Sequence, residues 1–174
     1  MDLDIIVQNK KNKILVIGPS SSGKSTLMHE WITKGLANKK EICFAYQYNK
    51  IKKYTTRIFH YNLLKCYEHN NSSDINTDKL LKEILTIQPL FVCVLFTNEE
   101  ELEHRISKRK YNEYEVLNER KKYEREKRLE ISRNCNYIEL YKSLIQLLER
   151  EKINYTILDS TKPKYTKITY DKIY

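Results

Sequence analysis

The stretch GPSSSGKST at residues 18–26 constrains this chain more than any other feature, because it fits the pattern G-x-x-x-x-G-K-[ST]. The apolar run KILVI at 13–17 precedes it and predicts a short buried strand. Leu27, Met28 and Trp31 follow it at helical spacing. A strand, a tight loop and a helix N-terminus in this order form a cradle for phosphate groups.

The residue types inside the loop suit that chemistry. Gly18 and Gly23 permit backbone angles that other residues resist, and two of the three glycines of the chain lie here. Lys24 is expected to reach the β- and γ-phosphates of ATP, and the Ser25 hydroxyl is expected to bind Mg²⁺. The predicted cofactor site comprises Gly18, Pro19, Ser20, Ser21, Ser22, Gly23, Lys24, Ser25 and Thr26.

Length and composition favour a single domain spanning residues 1–174. The N-terminus lacks a basic segment followed by an apolar run, and no stretch is long and apolar enough to cross a bilayer. We therefore expect a soluble cytoplasmic protein without membrane contact, and the sequence leaves its oligomeric state open. The four cysteines are widely spaced and form no C-x-x-C, so neither disulfides nor a zinc site are supported.

Strands and helices alternate along the chain. After the strand at 13–17, apolar runs predict strands at 41–47, 57–61, 90–96 and 155–158. This alternation predicts an α/β fold of the P-loop NTPase type, with a five-stranded, mostly parallel sheet in a three-layer αβα arrangement. Residues 1–12 are expected to be a polar lead-in, and the tail from Ser160 receives no assignment. The carboxyl ends of the strands are expected to carry the ligand site.

A helical lid is expected at about 98–133. The stretch 97–100, TNEE, predicts a capping box that opens a helix, with Leu102 and Ile106 facing inward. A second helix, roughly 113–131, is rich in charge and poor in aliphatic residues, so we expect it to pack only partly on the body. The alternative is a solvated helix whose charges pair along its own surface.

The segment 42–67 carries five Lys or Arg residues and no Asp or Glu, and tyrosines are interleaved with them. A basic surface of this kind attracts an anionic partner. Arg57 would suit a bidentate grip on a phosphate or carboxylate, and Tyr61 could stack on a base or sugar. The chain is rich in Lys, Asn, Ile and Tyr throughout, so composition alone explains the segment equally well.

The chain resembles the nucleoside and nucleotide kinase group of P-loop proteins. Its loop is close to the guanylate-kinase form, and the run Leu102-Glu103-His104-Arg105-Ile106-x-x-Arg109 is similar to the L-x-x-R-[LI]-x-x-R pattern that leads into the lid of that group. The resemblance implies ATP-dependent phosphoryl transfer with Mg²⁺. It also implies that Arg105 and Arg109 contact the phosphates and that Arg120 lies near the acceptor, with Arg125 as a weaker candidate.

One position departs from that group. The predicted second and third strands hold no Asp or Glu near their carboxyl ends, and His60 stands where the group usually has an Asp. His60 could act as a catalytic base or hold the acceptor, or it could be a satisfied histidine at a strand end. Asp159 ends the last predicted strand, where a metal role is not expected.

These patterns lead to one expected function and three alternatives. The first is a kinase that acts on a small anionic acceptor, such as a nucleotide or a phosphorylated sugar. A polynucleotide 5′-hydroxyl kinase would use the basic, Tyr-rich segment to bind a single strand, so nucleic acid is a second, less favoured partner. A sulfotransferase-like enzyme and a nucleotide-binding module without catalysis complete the set.

Overall fold

A six-stranded, mostly parallel β-sheet runs through the part of the chain that the computed structural model describes, namely residues 2–44, 56–70, 74–88, 90–108 and 119–173. The strand order is β2-β3-β1-β4-β5-β6. Strands β1 to β5 pair in parallel, and β6 pairs antiparallel with β5. The strands are β1 Lys13–Gly18, β2 Ile42–Phe44, β3 Ile58–Asn62, β4 Leu90–Phe96, β5 Asn154–Asp159 and β6 Thr166–Ile168.

Helices connect these strands, and several begin at a side chain that caps the first turn. The Asp78 carboxylate accepts a hydrogen bond from the Leu81 N–H, and the Asn136 side chain accepts one from the Glu139 N–H. The α-helices of the described residues are α1 Leu3–Gln8, α2 Lys24–Thr33, α3 Lys65–Asn70, α4 Lys79–Leu85, α5 Glu99–Lys108, α6 Glu119–Asn134 and α7 Tyr137–Arg150.

Apolar side chains cover both faces of the sheet, because alternate residues of a strand point in opposite directions. Leu15 and Ile17 of β1 join a core cluster with residues of α4, α5 and α7. Ile14 and Val16 join a second cluster with residues of α1 and α2. The described residues thus form an α/β structure compatible with a three-layer αβα fold.

The sequence pattern predicted the parallel strands but missed two elements. The sheet has six strands rather than five, because the tail contributes β6. This strand has only three residues, none of them buried, and its pairing with β5 decides it. The N-terminal segment is α1 rather than a polar lead-in, and it buries Ile6 and Val7 under the sheet. The second predicted strand extends to residue 47, and its last three residues lie outside the described part.

The cap of α5 also differs from the prediction. The Oδ1 atom of Asn98 accepts a hydrogen bond from the Glu101 N–H at 2.9 Å, so Asn98 is the N-cap. The Thr97 hydroxyl lies 2.8 Å from the Ser160 hydroxyl instead. The capping signal is therefore shifted by one residue, because a tertiary contact occupies Thr97.

The position of β1 determines where a ligand can bind. Strand β1 lies between β3 and β4. The strands β2 and β3 lie on one side of β1, and the strands β4 to β6 lie on the other, so the strand order reverses its direction at β1. In open parallel sheets this switch point forms a crevice beyond the carboxyl ends of the strands. Gly18 lies opposite Asn62 at that edge, and Phe96 lies opposite Asp159. Within the described residues, no helix combines the length and apolar character needed to cross a bilayer.

The N-terminal helix gives a direct test of this core. Ile6 is 5% exposed, whereas the neighbouring Ile5 is 64% exposed. We expect Ile6→Ala to lower the free energy of unfolding by about 2–4 kcal/mol, because it removes buried methyl groups and leaves a cavity. Ile5→Ala is the matched control and should change it by about 0.5 kcal/mol or less. Urea denaturation measures both, and equal losses would contradict the packing of α1.

Candidate functional site

The loop at residues 18–26 joins the carboxyl end of β1 to the first residue of α2. A Cβ atom on Gly18 would lie 2.7 Å from Ser22 Oγ and 2.8 Å from the Leu95 carbonyl oxygen, so no larger residue fits. Gly23 has φ +88°, in the left-handed region that glycine adopts without strain. Both glycines are therefore required by the local geometry.

The backbone of the loop is shaped to receive an anion. Ser21 and Gly23 both have positive φ, at 66° and 88°. Left-handed residues in a tight turn direct successive N–H groups into one concavity. The first helical bond of α2 runs from the Leu27 N–H to the Gly23 carbonyl, so earlier N–H groups at this end have no acceptor within the helix. The helix dipole adds partial positive charge at the same place.

The Lys24 side chain is buried beneath this loop. Its Nζ donates hydrogen bonds to the Gly18 carbonyl at 2.7 Å and to the Pro19 carbonyl, and it lies 3.4 Å from Ser22 Oγ. These oxygens compensate the cost of burying an ammonium group. The loop therefore surrounds a fixed positive charge.

Residues after β5 hold the loop in place. The Ser160 hydroxyl is buried and lies 2.8 Å from the Ser22 carbonyl oxygen. The Tyr165 hydroxyl donates to the Gly23 carbonyl at 3.0 Å. Both residues come from the tail to which the sequence gave no role. Their separation from the loop by about 140 positions explains why no local pattern could reveal them.

A cavity of about 470 Å³ opens in front of the loop. One wall is the loop with the start of α2, and the other wall comes from β3, α3 and α6. Its lining residues are Ser20, Ser21, Gly23, Lys24, Ser25, Thr26, His60, Asn62, Lys65, Glu68 and Arg128.

His60 projects from β3 into this cavity. Its Nε2 lies 3.5 Å from Ser25 Oγ. Burial of the ring, assisted by the positive charge of Lys24, lowers the pKa of His60 from 6.5 to about 4. The imidazole is therefore neutral near pH 7, and its unprotonated nitrogen can accept a hydrogen bond.

The carboxylate that the strands lack is supplied by α3. Glu68 lines the cavity and forms an ion pair with Lys65 at 2.8 Å. Inspection of the strand ends alone does not reveal Glu68, because it lies six residues beyond the end of β3. The helical spacing of Lys65 and Glu68 is the signal that could have placed both on one side of α3.

Among the described arginine side chains of the lid region, Arg128 of α6 lines the cavity, and it was not among the arginines predicted from the sequence. Arg105 lies elsewhere: it donates to Glu101 at 2.7 Å and to the carbonyl oxygens of Ser160 and Thr161 at 2.6 and 3.2 Å. It therefore braces the segment after β5 and does not line the cavity. Arg109 and the side chains of Arg120 and Arg125 lie outside the described part of the chain.

Two residues predicted to contact the acceptor, Arg57 and Tyr61, do not line the cavity. Arg57 precedes β3 and therefore lies at the amino ends of the parallel strands, away from the loop. There it pairs with Glu41 at 3.0 Å and donates to the Leu36 carbonyl. Tyr61 is buried on the other face of β3, and its hydroxyl donates to the Asp78 carboxylate. Of the five basic residues of segment 42–67, Lys65 lines the cavity, and Lys50, Lys52 and Lys53 lie outside the described residues.

The Ser25 hydroxyl is the oxygen donor that the loop offers to a cation. Ser25 is exposed and lines the cavity, so its hydroxyl is accessible to a bound ion. Among the described residues, no group of three or more His, Cys, Asp or Glu side chains could hold a metal. A cation at this loop would therefore take most of its ligands from the phosphates and from water.

Comparison with known proteins assigns the chain to no family, because neither the models of known protein families nor the curated proteins contain a match. Interpretation of the site therefore depends on its own geometry.

The lowered pKa of His60 predicts a pH dependence of stability. Between pH 6.5 and about 4 the unfolded chain binds a proton at this residue that the folded chain does not. The stability associated with His60 is therefore complete above pH 6.5 and is lost as the pH falls toward 4. His60→Gln should lose less stability than the wild type over this window, as measured by urea denaturation without added ligand. His29→Gln, on the exposed face of α2, is the control and should follow the wild type.

The buried ion pair of Arg57 predicts a structural and not a ligand-binding role. Arg57→Ala leaves Glu41, which is 16% exposed, with the exposed Lys10 at 3.2 Å as its ion-pair partner and the Asn38 N–H at 2.9 Å as a hydrogen-bond donor. We expect a loss of about 3 kcal/mol in the free energy of unfolding.

The Nε and Nη1 atoms of Arg57 are buried without a partner among the described residues, so the double variant Arg57→Leu with Glu41→Leu should recover most of this loss. Thermal and urea unfolding test both variants. A variant that kept its stability but lost affinity for a phosphate ligand would contradict the assignment.

Proposed function

We propose that this chain is a P-loop phosphotransferase that moves the γ-phosphoryl group of ATP to a small anionic acceptor. The observation that carries the proposal is the pairing, across one cavity, of the lysine-bearing loop with Lys65, Glu68 and Arg128. The loop provides for a phosphate donor, and the facing wall provides positive charge and a carboxylate for an acceptor.

The loop residues bind and orient the donor. The N–H groups of the loop and of the first turn of α2 point toward phosphate oxygens, and the Lys24 ammonium exchanges its carbonyl contacts for contacts with the terminal phosphates. Preorganised charge of this kind stabilises the equatorial oxygens as the phosphoryl group moves. The Ser25 hydroxyl would hold the divalent cation that neutralises the phosphates.

The facing wall binds the acceptor. Lys65 and Arg128 bring two cations from separate helices to the cavity, which favours an acceptor that carries phosphate or carboxylate. The ion pair with Lys65 keeps Glu68 close to the same space. Glu68 is the better candidate than His60 to accept the proton of an acceptor hydroxyl, because burial of the ring and the charge of Lys24 both disfavour the imidazolium form of His60.

Closure of the two helices of the lid region over the donor is part of this proposal. The Arg133 guanidinium of α6 donates to Glu103 of α5 at 2.7 Å, which joins the two helices at the surface. Arg128 lies on α6 and lines the cavity, so a movement of this helix would change the distance between its guanidinium and the phosphates. Closure would bring the Arg128 guanidinium to the reacting phosphate and would also exclude water from the site.

Replacement of the loop lysine tests the proposal. Lys24→Ala should lower the rate of phosphoryl transfer by about a hundredfold or more, since removal of one transition-state charge contact costs roughly 3–4 kcal/mol. Transfer is measured with γ-labelled ATP against nucleotides and phosphorylated sugars. Lys34→Ala, at the exposed end of α2, is the matched control and should keep the wild-type rate.

Two outcomes would oppose the proposal. An unchanged rate in Lys24→Ala would remove the loop from the reaction. A wild-type chain that binds ATP, as shown by a rise in melting temperature, but transfers phosphate to no acceptor and to no water would identify a binding module instead.

A further inference from the structure

The side chains of His60 and Ser25 lie next to each other at the mouth of the loop. His60 Nε2 and Ser25 Oγ are 3.5 Å apart. Two ligands that each lie about 2.1 Å from one cation are separated by roughly 3 Å at a right angle and by somewhat more at a wider angle. The observed separation therefore suits two ligands of a single divalent cation.

We propose that His60 is a ligand of the cation that accompanies the nucleoside triphosphate, and that the site consequently prefers a divalent transition-metal ion to Mg²⁺. The inference rests on the proposed function, because the triphosphate supplies most of the coordinating oxygens. Mg²⁺ selects oxygen ligands, whereas an imidazole nitrogen favours first-row transition metals. One histidine in place of an oxygen ligand is sufficient to shift the preference.

The position of His60 in the sheet supports this role. It lies in β3, beside Val16 of β1, and Asn62 follows two residues later on the same face and also lines the cavity. The ring forms a hydrogen bond with its own backbone. Such a bond orients the ring and leaves the other nitrogen as the ligand atom, which is the usual arrangement around metal-bound histidine.

The charges around the pair explain why the cation would bind only with the nucleotide. Lys24 places a positive charge close to His60, which opposes binding of a free cation. No larger cluster of ligating side chains is found in the described residues. The negative triphosphate must therefore be present before the cation is held, so free Mn²⁺ should bind weakly.

Electron paramagnetic resonance of bound Mn²⁺ tests the coordination directly. The probe is Mn²⁺ with a non-hydrolysable ATP analogue, added to the full chain labelled with ¹⁵N at histidine only, so that the unlabelled base of the nucleotide cannot be mistaken for the ligand. Wild-type protein should give the coupling of a directly bound ¹⁵N nucleus. His60→Gln should lose this coupling, and His29→Gln on the exposed face of α2 should keep it.

Metal preference is measured by calorimetry with the same analogue in the presence of Co²⁺ or Mg²⁺. The measured quantity is the affinity for the analogue with Co²⁺ divided by the affinity with Mg²⁺. This ratio should be roughly tenfold or more lower in His60→Asp than in the wild type, because a carboxylate oxygen provides a ligand that Mg²⁺ accepts. The intrinsic preference of the nucleotide for either ion affects the wild-type and variant ratios equally, so it cancels when the two ratios are compared.

The outcomes separate this inference from the proposed function. Tight binding of Mn²⁺ and analogue by wild-type protein without a histidine coupling would overturn the inference and leave the phosphotransferase proposal standing. An unchanged affinity ratio in His60→Asp would also overturn it. Failure of the wild type to bind the analogue with any of the three ions would overturn both, and the wild-type measurements do not depend on whether a variant folds.

Discussion

The parallel pairing of β1 on both of its edges is the constraint on which the remaining structure depends. This strand is hydrogen-bonded to β3 on one side and to β4 on the other, and its central residues are fully buried. Because neighbouring strands pair with both of its edges, the position at which the loop leaves its carboxyl end is set by the sheet. The Leu63 N–H donates to the Gly18 carbonyl at 2.9 Å and ties the end of β3 to the same point.

Electrostatics at that point follow from burial of a single ammonium group. Lys24 is held by the carbonyl oxygens of its own loop, so its charge stays beneath the anion site. Burial of the His60 ring lowers its pKa, and the Lys24 charge adds to that effect, so the imidazole is neutral near pH 7. The state of this side chain is thus set by its burial and by its buried neighbour together.

Sequence patterns predicted the part of the site that is continuous in the chain. The strand, the two glycines, Lys24 and Ser25 are neighbours in sequence, and their spacing predicts their relative positions. Arg57 shows why the basic segment was misleading: counting charges along a chain ignores which end of a strand each residue reaches. Arg57 precedes β3 and pairs with Glu41 at the amino end of the strand, whereas Lys65 follows β3 and lines the cavity at the carboxyl end.

The sequence by itself determined the alternation of strands and helices, the mostly parallel sheet and the conformation of the loop, because each depends on residues within one or two turns of chain. Only the tertiary structure decided which distant side chains meet the loop. Glu68 and Arg128 reach the cavity from separate helices, and Ser160 and Tyr165 hold the loop from a tail whose strand exists through pairing with β5. These contacts depend on strand order, and strand order is set by the packing of two whole core clusters and not by any local pattern.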